Sequence, residues 1–72
     1  MKFAPGSIVR HRNGTAYEIV FGPDVVKLES SAAPAYAYRA ADDIDKTIWV
    51  REQGNMESEG RFSPVREGTA SP

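Results

Sequence analysis

The sequence predicts an all-β domain, a small SH3-like barrel or half-barrel of roughly five to six short antiparallel strands. Segments rich in aromatic and β-branched residues recur about every 8–12 residues, with turn residues between them. An amphipathic helical period is absent. The chain has 72 residues, which is room for one hydrophobic core. We therefore expect a single domain over residues 1–65, followed by a disordered polar tail over residues 66–72.

The first predicted element is a β-hairpin over residues 8–21. Its strands cover residues 8–12 and 16–21, and the second is rich in aromatic and β-branched side chains. Asn13 and Gly14 lie between them, and both tolerate the positive φ that a tight hairpin turn demands. Ile8 and Val9 point to opposite faces of the first strand. We expect Ile8 to face the core, with Val9 as the alternative.

Four further strands follow the Gly-Pro turn at residues 22–24. They are predicted at residues 25–29, 35–40, 47–51 and 61–65, and residues 30–34 and 53–60 are predicted to be loops. Trp49 is expected to pack in the core, because a domain this small needs aromatic volume there, and Ile48 and Val50 should face the core if Trp49 does not. The aliphatic side chains predicted to be buried are Ile8, Ile19, Val26, Leu28, Ile48 and Val50.

Two orientations are open for the strand over residues 35–40. Its alternation places Tyr36 and Tyr38 on one face and alanines on the other. If the tyrosines face inward, they fill the core. If the alanines face inward, the tyrosines form an exposed aromatic pair, which would be a binding surface.

Composition excludes several classes of function. Nine basic and ten acidic residues give a net charge of −1, which disfavours binding that depends mainly on phosphate neutralisation. Cysteine is absent and histidine occurs once, so disulfides and thiolate or histidine-rich metal sites are excluded. The longest apolar run is too short to span a membrane, and the N-terminus lacks the apolar stretch of a signal peptide. We expect a cytoplasmic monomer or homodimer that binds no cofactor.

Catalytic motifs are missing. The serines and threonines lie in no nucleophile context, and neither familiar phosphate-binding glycine spacing occurs. Asp42, Asp43 and Asp45 lack the glycine and distal glutamate of a calcium loop, and a solvated turn explains them better. We therefore expect a protein that is not an enzyme.

A basic and aromatic set is the best candidate for a binding site. Residues 10–12 could contact phosphate or an acidic protein surface, or they could be solvated charges that protect an edge strand. Because residues alternate across a strand, the three cannot all face one partner. Aromatic side chains interleaved with arginines could stack bases or grip a peptide. The candidate partner-binding residues are Arg10, His11, Arg12, Tyr36, Tyr38, Arg39 and Arg51.

The order of several short motifs resembles a family of β-rich domains of unknown function from bacteria and their phages. The motifs are the stretch from Gly6 to Gly14, the strand from Tyr17 to Val20, and later Tyr38-Arg39, Trp49-Val50-Arg51 and Gly60-Arg61-Phe62. Glu52 stands where that family usually has a proline. The resemblance covers about residues 6–65 and implies a phage or prophage origin, where short accessory proteins often bind host machinery.

Two functions follow as expectations. The first is a non-enzymatic protein-interaction module, a phage accessory protein that binds and modulates a host complex such as the transcription or defence machinery. The second is a small nucleic-acid or nucleotide-binding domain that uses the basic and aromatic surface. Steep salt dependence of binding would separate the second from the first.

Overall fold

The computed structural model describes residues 2–42 and 47–66. It is all-β apart from one helical turn. The strands are β1 (Ile8–His11), β2 (Ala16–Phe21), β3 (Ala35–Ala40), β4 (Trp49–Glu52) and β5 (Phe62–Arg66), and the helix is α1 (Gln53–Met56). The strands form one antiparallel sheet in the order β4-β3-β2-β1-β5. In the described part of the chain, no helix is long and apolar enough to cross a membrane.

The predicted hairpin is confirmed. Residues 12–15 connect its two strands, so the turn is longer than the two residues of a tight hairpin. β1 pairs with β2 through Val9 opposite Tyr17. The Gly14 N–H donates to the His11 carbonyl, and the His11 N–H donates to the Thr15 carbonyl. Gly14 has a φ of +102°, in the region that favours glycine. The turn therefore needs its glycine in the left-handed region, while Asn13 contributes its side-chain oxygen as an acceptor for the Thr15 N–H.

β3 is the central strand of the half of the sheet that contains β2, β3 and β4. It has the bounds that the alternation predicted, residues 35–40. It pairs with β2 through Ile19 opposite Tyr38, and an irregularity then shifts the register so that Phe21 lies opposite Ala37. On its other side Tyr38 lies opposite Trp49 and Ala37 opposite Val50. The extra residue of β2 therefore sets Phe21 on the face of the sheet opposite to Ile19.

The predicted strand over residues 25–29 is wrong. The N–H groups of Val25 and Val26 both donate to the Gly22 carbonyl, which closes a turn in place of a ladder. A single bridge joins Lys27 to Pro34. The bridge is made by the Leu28 N–H to the Ala33 carbonyl and the Ala35 N–H to the Val26 carbonyl, and the Ala32 N–H then donates back to the Leu28 carbonyl. The chain therefore turns at once, and the segment does not extend into a strand. Val26 and Leu28, both predicted to be buried, are partly buried.

Two boundaries near the C-terminus are also corrected. Residues 53–60, predicted to be a loop, contain α1, and its Met56 is fully buried. Arg66, predicted to start the disordered tail, lies in β5 opposite Ile8. The rest of the predicted tail, residues 67–72, lies outside the described residues, as do Asp43 and Asp45.

The core lies on one face of the sheet, under α1 and the N-terminal segment. Val9 takes the place predicted for Ile8, which is partly buried, and the burial of Ile19 is confirmed. Most of the large side chains in the core cluster are aromatic, and the partly buried ring of Tyr17 packs against this cluster. That cluster consists of Phe3, Val9, Ile19, Tyr36, Tyr38, Met56 and Phe62.

β4 does not supply the core, and its predicted burial is wrong. Ile48, Trp49 and Val50 are each about half exposed, at 50%, 54% and 51%. β4 is an edge strand, so neighbouring side chains cover it from one side only. The buried aromatic side chains in this half of the sheet are instead Tyr36 and Tyr38 on the adjoining strand.

The sheet is strongly curved. Strands β3 and β5 would lie about 14 Å apart in a flat sheet, at three strand spacings. The rings of Tyr38 and Phe62 on these strands nevertheless have centroids 6.2 Å apart. The guanidinium of Arg51 on β4 lies 5.6 Å from the Phe62 ring centroid. The two edges therefore approach each other, but no ladder between β4 and β5 is present among the described residues, and closure into a barrel stays a prediction.

Candidate functional site

Tyr36 is a core residue that anchors the N-terminal segment. Its side chain is fully buried, and its hydroxyl accepts hydrogen bonds from the N–H groups of Lys2 (3.0 Å) and Phe3 (3.1 Å). The same hydroxyl donates to Oε2 of Glu57 at 2.5 Å. Burial, reinforced by the hydrogen bond to Glu57, raises the pKa of Tyr36 above its ordinary value of 10.0.

Glu57 is the common acceptor of this cluster. Besides Tyr36, its Oε2 accepts from the Lys2 N–H and from the Gln53 side-chain amide. Burial favours a higher pKa for this carboxyl, but the hydrogen bonds from Tyr36, Gln53 and Lys2 outweigh burial and hold the pKa below its ordinary value of 4.5. The cluster therefore ties the N-terminus, β3 and the end of α1 together.

Tyr38 is also buried, so the two tyrosines do not form an exposed pair, and that alternative for their strand is wrong. Tyr38 packs edge-on against Tyr17, with ring centroids 5.2 Å apart. Its hydroxyl accepts a hydrogen bond from Nε of Arg51 at 3.2 Å. Arg51 also donates to Asn55 and lies over the Phe62 ring. Arg51 therefore acts mainly as a brace between β4, α1 and β5.

The basic residues of the hairpin do not share one surface. Arg10 is exposed and donates to the Gly14 carbonyl across the turn, and Arg12 is exposed beyond the end of β1. His11 points to the opposite face from Arg10, where its ring packs edge-on against Phe62 at 4.9 Å. Nδ1 of His11 accepts the Asn13 N–H, which fits a role in shaping the turn.

Arg39 is paired on the outer face of the sheet. Its Nη2 lies 2.9 Å from Oε1 of Glu18, and its Nε donates to the same oxygen. The two residues are opposite each other in the β2–β3 ladder. The predicted basic and aromatic set is therefore dispersed. Its tyrosines are in the core, Arg39 is neutralised by Glu18, and Arg51 is engaged by core side chains.

An exposed apolar row lies on the outer face instead. Phe21, Ala37 and Val50 are directly opposite one another in three adjacent strands, and we call them the outer apolar row. Phe21 is 55% exposed and Val50 51% exposed, while Ala37 between them is buried. Across two strand spacings the row extends about 10 Å. Phe21 and Val50 therefore stand on either side of a shallow, alanine-floored strip.

The rim of this row is polar and nearly neutral. The Arg39–Glu18 ion pair lies on the same face, two residues from Ala37 along β3. Glu52 is exposed on the other side, two residues from Val50 along β4. An apolar centre with a polar rim is the usual composition of a protein-binding patch.

Sequence reasoning missed the row for a different reason at each of its two exposed members, Phe21 and Val50. Simple alternation from Ile19 would set Phe21 on the core face, and the irregularity in β2 reverses it. Val50 was predicted to be buried from its type alone. The signal in the sequence that could have indicated this face was the pair of alanines at residues 35 and 37. An alanine is too small to cover larger side chains that lie opposite it in the adjacent strands, such as Phe21 and Val50.

The described residues include no group of three or more side chains able to hold a metal ion. No family model, no curated protein and no solved structure matches this chain. The resemblance drawn from the motif order therefore stays a prediction.

Proposed function

We propose that this chain is a protein-interaction module whose contact surface is the outer apolar row. The observation that supports the proposal is the exposure of Phe21 and Val50 on either side of Ala37, in one row across three strands. An exposed aromatic ring held on a rigid sheet loses little conformational entropy on binding, so it can anchor a partner's side chains efficiently.

The chemistry of the rim favours a protein over a nucleic acid as the partner. Arg39 is already paired with Glu18, and Glu52 adds negative charge beside Val50. Phosphate groups would meet no excess of positive charge at this nearly neutral rim and would gain little from neutralisation. A protein surface with its own apolar side chains would instead exclude water from the row.

We further propose that the partner is a host protein complex in a bacterium, such as its transcription or defence machinery. This part of the proposal rests on the order of the hairpin, Tyr38-Arg39 and Trp49-Val50-Arg51 motifs. Short phage and prophage proteins commonly act by occupying a surface of such a complex, and that step is an analogy.

The proposal is tested by comparative capture from bacterial lysate. The bait proteins are the wild-type chain, Phe21→Glu, and the control Val65→Glu, which adds the same charge to a side chain of similar exposure (51%) on β5. The captured protein is then purified and titrated calorimetrically against all three. We expect Phe21→Glu to weaken binding by at least about thirtyfold, since interface anchors contribute about 2 kcal/mol or more, while Val65→Glu binds normally.

Two results would count against this function. Equal binding of Phe21→Glu and wild type would remove the outer apolar row from the site. Tight binding of oligonucleotides that weakens steeply with salt would favour nucleic-acid recognition through Arg10 and Arg12.

A further inference from the structure

The open edge of β4 presents unpaired main-chain groups. The Gln53 N–H donates to the Pro34 carbonyl, and the Ala35 N–H donates away from β4, to the Val26 carbonyl. Main-chain groups of an antiparallel strand alternate in direction, so the N–H and C=O of Val50 and the N–H of Glu52 point outward from the sheet. Within the described part of the chain, no strand pairs with this edge.

The opposite edge of the sheet is protected from such pairing. The Arg12 N–H donates to the Arg61 carbonyl, and Arg10 lies opposite Ser63 in the same ladder. The alternation then directs the nitrogen of Pro64 outward. Proline has no N–H, so the β5 edge lacks a donor where an added strand would need one. β4 carries no such block.

From this asymmetry we infer that β4 pairs with β4 of a second copy of this chain, antiparallel about a twofold axis. In an antiparallel pair, residues whose main-chain N–H and C=O groups point out from one edge must lie opposite residues whose main-chain groups point out from the other edge. An axis at Arg51 would place two arginines directly opposite each other, which is unfavourable. An axis at Val50 avoids this repulsion, because it places Val50 against its own copy. Trp49 then lies beside the aliphatic stem of the partner's Arg51, whose guanidinium remains engaged within its own chain.

The register centred on Val50 also uses the whole edge. It matches residues 48–52 of one chain with residues 52–48 of the other and forms about four main-chain hydrogen bonds. The half-exposed side chains of Trp49 and Val50 each gain a neighbour. Self-association of this kind is a common way for a domain of this size without disulfides to gain stability.

The dimer would extend the outer apolar row without covering it. Strand addition joins backbones, and the side chains remain on the faces of the sheet. The row would then run from Phe21 through Ala37 and Val50 to the same residues of the partner, over about 24 Å. Dimerisation and partner binding are therefore separate properties and can fail independently.

The first test is the mass of the wild-type chain by sedimentation equilibrium. A short edge contact is a weak interface, so the range should run from about 10 µM to about 1 mM. We expect the mass to rise with concentration from 7.9 kDa toward twice that value. Val50→Lys should raise the dissociation constant at least about tenfold, because it sets two like charges opposite each other. The control Val65→Lys should leave it unchanged.

The second test uses the absence of cysteine from the chain. In the proposed register the two Val50 Cα atoms lie about 5.5 Å apart, within the range that a disulfide bridges. Val50→Cys should therefore form a covalent dimer under mild oxidation much faster than Val65→Cys, a position of matched exposure. A mass of one chain at all concentrations, equal crosslinking at the two positions, or dimers unaffected by Val50→Lys would overturn the inference.

Discussion

Replacing Tyr36 with phenylalanine should destabilise the protein far more than the loss of one oxygen atom suggests. The ring stays in the core, so its packing is kept. The hydroxyl is the partner of three groups: it accepts from the N–H groups of Lys2 and Phe3 and donates to Glu57. Lys2 retains Glu57 as an acceptor, but the Phe3 N–H is buried and is left without one.

The magnitude follows from these contacts. Leaving a buried N–H unsatisfied costs about 1–3 kcal/mol, and a hydrogen bond to a charged group contributes about 1.5–3 kcal/mol. Glu57 is only partly buried, so we take the lower part of each range and expect a combined loss of about 2.5–4 kcal/mol. A domain of this length has a free energy of unfolding of about 4–11 kcal/mol. The variant should therefore lose at least about 10 °C of melting temperature.

The measurement is urea and thermal unfolding followed by circular dichroism, with Tyr38→Phe as the matched control. The Tyr38 hydroxyl accepts a hydrogen bond from Nε of Arg51 at 3.2 Å, and the loss of this hydrogen bond should cost about 0.5–1.5 kcal/mol. Equal destabilisation by the two substitutions, or a loss below about 1 kcal/mol for Tyr36→Phe, would show that the Tyr36 hydroxyl does not anchor the N-terminal segment.

Three further predictions concern acid stability, the core and the turn. The pKa of Glu57 is lower in the folded state, so its stabilising contribution is complete above about pH 4.5 and is lost as pH falls through the folded-state pKa. In Glu57→Gln the free energy of unfolding, measured by circular dichroism, should therefore depend less steeply on pH in the acid range. Ile19→Ala should cost about 2–5 kcal/mol in urea unfolding, whereas Ile48→Ala, at a half-exposed site, should cost within about 0.5 kcal/mol. Gly14→Ala should lower the free energy of unfolding by about 1–2 kcal/mol because of its positive φ, and Gly54→Ala, in α1 with open space around the added carbon, should raise it by up to about 1 kcal/mol.

Local signals were sufficient for the centre of the sheet. The hairpin and β3 were predictable because their patterns are short-range: Asn13-Gly14 between two apolar segments, and strict alternation from residue 35 to residue 40. The final strand was found in the same way, although it extends to Arg66. Each of these predictions rested only on residues that are neighbours in the sequence.

The edges and faces were not predictable from local patterns. Trp49 and Val50 have the residue types of a core strand, but β4 lies at an edge where little covers them. Met56 was overlooked because a single helical turn of polar sequence shows no period. Phe21 changed face because of a register shift in β2 that leaves no mark in the sequence. The candidate site depends on these same features, so the sequence directed attention to the wrong residues.

Chemical-shift mapping of the backbone amides shows directly which surface of the chain contacts the partner. The ¹⁵N-labelled chain would be titrated with the protein captured from lysate, while the concentration of the chain is held fixed so that its self-association does not change. We expect the largest shifts at Phe21, Ala37 and Val50, with Arg10 and Arg12 little changed. Large shifts confined to the hairpin turn around Arg10 and Arg12, with the outer apolar row unchanged, would contradict this prediction.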